Sequence, residues 1–111
     1  MIREEILEYP YQGTIIRVIT GGGDEDDTEV TLYDGVMDEH MVTDNEGRVL
    51  QTSSYIISIP LTKDDNGNYI VPHKGDRITL ERYGETIHFV VDNAEPSQLM
   101  GISIYATRKV W

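Results

Sequence analysis

The sequence predicts an all-β fold, an antiparallel small barrel or sandwich with a long acidic loop excursion. First, apolar and polar residues alternate with period two. Ile78, Leu80 and Arg82 alternate with Thr79, Glu81 and Tyr83; Ile87, Phe89 and Val91 alternate with His88, Val90 and Asp92; Ile102, Ile104 and Ala106 alternate with Ser103, Tyr105 and Thr107. This pattern gives a half-buried strand one face toward a core. Second, turn residues recur at short intervals. Third, Tyr, Ile, Val and Thr are abundant, as pleated surfaces favour. Helical pattern is confined to Arg3–Glu8 at most.

The elements follow in order. A first strand near residues 13–20 ends at Gly21-Gly22-Gly23, and residues 29–41 read as a second, with a bend at Gly35. Asn45-Glu46-Gly47 is a turn, and residues 48–61 form a long third strand, apolar around Tyr55–Leu61. Asp65-Asn66-Gly67-Asn68 is a strong hairpin signal, since Asn and Gly tolerate positive φ. Tyr69–Pro72 resumes the strand, and Pro72–Asp76 turns the chain again. Residues 76–83 and 86–92 pair across Tyr83-Gly84-Glu85, Asn93–Met100 is irregular or a short helical turn, and 101–110 is the closing strand. Seven or so strands at this spacing point to a barrel or sandwich. Ile87, Phe89, Val91, Ile102 and Ile104 are the expected core.

A chain of 111 residues is most simply one domain, 1–111, with a small core. No cysteine is present, which excludes disulfides and thiolate metal sites. The start, MIREEILEYP, has charges where a signal peptide needs an apolar core. No run approaches the ~18 apolar residues of a membrane span. A cytosolic protein is the default expectation.

The net charge of −11 sits entirely in residues 1–47, which carry 13 acids against Arg3 and Arg17; residues 48–111 balance seven against seven. Self-repulsion keeps such a segment solvated. The expected solvated acids are Asp24, Glu25, Asp26, Asp27, Asp38, Glu39, Asp44 and Glu46, with mobile segments at about 21–28 and 36–54. Tight duplex-DNA or RNA binding needs clustered Lys and Arg to displace counterions, and the bases here are scattered.

Candidate chemistry is thin. Asp24–Asp27 contains hard-cation ligands, but a run of acids is more commonly a solvated loop. Asp64, Asn66 and Asn68 have the alternate spacing of a calcium loop, yet Tyr69 stands where that loop needs Gly and Gly75 where it needs Glu. His40, His73 and His88 form no metalloprotease spacing. Gly21-Gly22-Gly23 is followed by acids rather than by the Lys-Ser/Thr of a phosphate loop. No catalytic, cofactor or metal residue is assigned, and an enzyme is not expected. Tyr, with seven occurrences, exceeds Phe and Trp together. It combines an apolar body with a polar tip and suits interfaces. Tyr55, Tyr105 and Trp111 are the expected interface residues, although packing at barrel rims is an equally good reading of any one Tyr.

The second half carries a resemblance. The Thr28–Gly35 strand runs into a polar, acidic excursion through Met37–Ser54, and Tyr55–Leu61 returns. Then comes Tyr69-Ile70-Val71-Pro72-His73-Lys74-Gly75-Asp76-Arg77-Ile78, followed by Gly84, Val90-Val91 and a final strand. The arrangement, over some 80 residues, resembles the small head-completion or head-tail connector proteins of tailed bacteriophages. That resemblance implies a non-enzymatic virion structural protein. It implies a homo-oligomeric ring around the DNA channel, with portal, connector or tail proteins as partners. It places the chain in the virion or, from a prophage, in the bacterial cytoplasm. Inward carboxylates would keep DNA from adhering. The competing expectation is an acidic monomeric β-barrel that binds or inhibits a basic partner protein. A small β-barrel enzyme is the third, and would need a cleft of converging polar groups.

Overall fold

The computed structural model describes residues 9–21, 26–41, 54–97 and 101–109. They form six antiparallel strands: β1 (Tyr11–Ile19), β2 (Thr28–Met41), β3 (Ser54–Ile59), β4 (Arg77–Arg82), β5 (Glu85–Ser97) and β6 (Gly101–Lys109). Pairing in the order β1-β2-β3-β6-β5-β4 closes on itself, so the sheet is a barrel. The closing seam is β1 against β4, from Gln12↔Glu81 to Ile16↔Arg77.

Alternation makes the core. Ile15, Met37, Ile57, Ile59, Ile78, Leu80, Phe89, Val91, Ile102 and Ile104 are wholly buried, joined by Tyr33, Tyr55, Ile87 and Ala106. The five expected core residues are all among them. Phe89 meets the Tyr55 ring edge-on at 5.2 Å between centroids, the geometry favoured by aromatic quadrupoles.

The β4–β5 turn is the expected one. Tyr83 and Gly84 both have positive φ, 53° and 81°. Two successive positive φ values match the right-handed twist of a tight hairpin. At the other predicted turn, the Asp64 carboxylate accepts from the Asn66 and Asn68 backbone N–H groups at 2.9 and 3.0 Å.

Three expectations are corrected. Residues 36–41 complete β2, as the expected strand over 29–41 has it, and do not belong to the loop excursion expected from Met37 onward, because Met37 is wholly buried and Asp38–Met41 pair with Ser58–Tyr55 of β3. Residues 69–72 do not resume a strand. Tyr69 forms an isolated bridge with Lys63, and the Ile70 N–H donates to the Thr62 carbonyl. Asn93–Ser97 continues β5 beyond a register shift between Val91 and Asn93. Pro96 is tolerated there because β4 pairs with β5 only as far as Val90, so the missing N–H has no strand opposite it on that side. The Arg3–Glu8 segment and residues 42–53 lie outside the described residues.

Candidate functional site

The most distinctive surface grows from a mismatch in strand length. β1 and β2 stay paired down to Ile19↔Thr28. β4 leaves β1 at Ile16, and β3 meets β2 only over Asp38–Met41. Among the described residues, Arg17–Ile19 and Thr28–Thr31 therefore form a two-stranded ribbon that outgrows the barrel. Such a ribbon has little burial to hold it by itself.

Its surface chemistry is mixed. Thr28, Glu29, Val30 and Thr31 are exposed, as are Asp26 and Asp27 just before β2. Asp27 accepts from the Gly21 N–H at 3.2 Å. Ile19 and Val30 are also exposed, at 51% and 39%. In register Val30 opposes Arg17, and Ile19 lies two residues on, so both apolar side chains belong to one face of the ribbon. The register shifts between Ile15 and Ile16, which leaves Leu32 as the additional residue of a β-bulge.

Arg17 anchors the base of the ribbon. Gly13, Ile15 and Arg17 share the inward face of β1, and past the core the series ends in a charge. The guanidinium grips Asp76 in two bonds, Nε to Oδ1 at 3.0 Å and an Nη to Oδ2 at 2.9 Å. Asp76, 3% exposed, also accepts from the His73 N–H at 2.8 Å. Its backbone carbonyl accepts from Val91 N–H at 2.8 Å. Asp76 thus ties three parts together, its carboxylate holding β1 and the Pro72–Asp76 turn and its backbone carbonyl holding β5. The hydrogen bond that Arg17 donates to Asp76 raises the Arg17 pKa further above its already high ordinary value, so the guanidinium stays charged. A cleft of about 280 Å³ lies beside this anchor, lined by Arg17, Thr31 and Leu32 on the ribbon side and by Asp64, Tyr69 and His73 among the loop residues.

β2 carries a second inward charge. Tyr33, Gly35, Met37 and Glu39 alternate inward, and Glu39, its side chain 5% exposed, pairs with Arg82 of β4. Its Oε2 has no hydrogen-bond partner. Tyr11, on the strand between them, meets Tyr83 edge-on at 5.9 Å. A hydrogen bond to Tyr83 is the main cause that raises the Tyr11 pKa above 10.0.

The expected site residues separate accordingly. Asp26 and Asp27 are exposed beside the ribbon. Asp38 and Glu39 are strand residues, not loop acids, and Glu39 is buried in an ion pair. Tyr55 is withdrawn from any outer surface, because Tyr55, Ile57 and Ile59 form the inward face of β3. Tyr105 is on the outside of β6, 37% exposed. Asp24, Glu25, Asp44, Glu46 and Trp111 lie outside the described residues. Among the described residues, no three His, Asp or Glu side chains gather into a possible metal site, and no helix is long and apolar enough to cross a membrane. The Arg17–Asp76 and Glu39–Arg82 pairs escaped sequence reasoning. The available signal was Arg17 itself, a base in step with Gly13 and Ile15.

Comparison with protein-family models and with curated proteins finds no match.

Proposed function

We propose that the chain is a non-enzymatic structural protein of a tailed bacteriophage or prophage, a head-tail connector or head-completion adaptor that assembles as a ring around the DNA channel. The observation that carries this reading is a closed barrel with a two-stranded ribbon reaching beyond it, whose strands flank the acidic sequence Asp24–Asp27. Closure removes most strand edges from the barrel, which concentrates contact-forming groups on the ribbon. The charge separation has a use in such a ring. The acidic segment repels phosphate, while the balanced remainder can pack against neighbouring subunits and a portal or tail partner. The same ribbon supports a second reading, an acidic module that engages one basic partner protein as a monomer.

Sedimentation across a salt series, with and without a portal ring, tests the choice. The connector reading expects assembly that strengthens with salt or on the portal, and no tight duplex-DNA binding. A monomer under every condition, joined one-to-one to a basic protein, would establish the second reading. Sub-micromolar DNA binding at physiological salt would reject both.

A further inference from the structure

We propose that the outer edge of β2 over Thr28–Leu32 takes up an extended, basic segment of a partner protein by strand addition. The inference rests on the assembling reading and supplies the chemistry of the partner. Over these residues β2 is paired only with β1 among the described residues. Backbone N–H and C=O groups on an open edge are a ready template for another strand. Thr28–Thr31 are exposed, so an approaching chain meets no side-chain cover there. Further along, the Val36 carbonyl is already taken by the Tyr33 hydroxyl at 2.6 Å.

Charge selects the occupant. Asp26, Asp27, Glu29 and Asp34 are exposed around this edge, and Asp64 lines the adjoining cleft. Arg17, the Arg in that cleft, is neutralised by Asp76. An added strand with Lys or Arg at alternate positions meets these carboxylates. Its intervening apolar side chains meet Val30 and Ile19, and the cleft beside Thr31 and Leu32 receives one side chain. A second copy of this acidic chain is the poorer occupant, because like charges would oppose across the new strand pair.

The test uses the full chain with isotope-labelled amides and a capped ten-residue peptide of alternating Lys and Val, the length of a long natural strand. Its controls are a Glu-Val counterpart and the Lys-Val peptide with alternate amides N-methylated. The expected result is saturable binding with new hydrogen-exchange protection at Thr28–Leu32, abolished by N-methylation and absent for the Glu peptide. Glu29→Lys with Asp34→Lys, both exposed, should weaken binding roughly tenfold or more while the fold is kept. Equal binding of the N-methylated peptide would reduce the effect to charge attraction and overturn the proposal. Protection of Thr28–Leu32 by concentration alone, without peptide, would assign the edge to a second copy and overturn it too. Ring assembly on a portal without peptide binding would sink only this inference. Peptide binding without assembly under any condition would sink only the connector reading.

Discussion

Phe89 is wholly buried and touches Tyr55 edge-on. Truncation removes the largest fully buried side chain among the described residues, so Phe89→Ala should cost roughly 3–5 kcal/mol; an unchanged denaturation midpoint would contradict this packing. The buried ions behave differently. Arg82→Met leaves the Glu39 carboxylate buried without its partner, and should cost about 2–3 kcal/mol, discounted from fully buried pairs because Arg82 is partly exposed. The double variant with Glu39→Gln should recover most of that loss in the same denaturation assay. Tyr33 gives the pH dependence. Burial is the main cause that raises its pKa above the ordinary 10.0, with the charges of Tyr9 and Asp34 adding to it. A raised folded-state value means that its contribution to stability is present below pH 10.0 and is lost as pH climbs through the folded value. Denaturation midpoints should therefore fall more steeply above that pH in the native chain than in Tyr33→Phe.

At the scale of elements, two glycines separate backbone strain from steric conflict. Gly84 and Gly101 have nearly the same positive φ, 81° and 84°. A Cβ at Gly84 meets open space, whereas at Gly101 it would collide with the Ile59 carbonyl and the Tyr9 hydroxyl. Gly84→Ala should cost about 1–2 kcal/mol from the left-handed conformation alone. Gly101→Ala should cost distinctly more, because the β3–β6 pairing at Ile59↔Ile102 must also give way. Equal midpoints for the two variants would show that the β6 approach is slack. The β1–β2 ribbon is the opposite case, an element that extends beyond its neighbours and keeps two apolar residues in water.

For the whole molecule, charge and closure act against each other. Closure favours a stable barrel, while a net charge of −11 opposes bringing copies together. Screening shortens that repulsion to about 8–10 Å near physiological salt. Self-association measured by sedimentation should therefore rise with ionic strength. Weakest association at the highest salt would indicate that ion pairs, not apolar and Tyr contacts, hold the copies together.

Period-two alternation determined the all-β class, the β4–β5 hairpin and the inward face of β5 and β6, because side-chain direction in a strand depends only on local pleat. The Asn-Gly and Tyr-Gly turns were legible for the same local reason. The acidic run Asp38-Glu39 read as solvated, and Tyr55 read as an interface residue, because sequence alone assigns a charge or a phenol to water by default. Only the tertiary structure supplied Arg82 for Glu39 and Phe89 for Tyr55, from strands far away in the chain. It also decided that β1 and β2 outgrow β3 and β4, and that Arg17 closes on Asp76. Strand registers and ion partners are set by which segments meet around the closed sheet, and that information lies in long-range packing rather than in any local pattern.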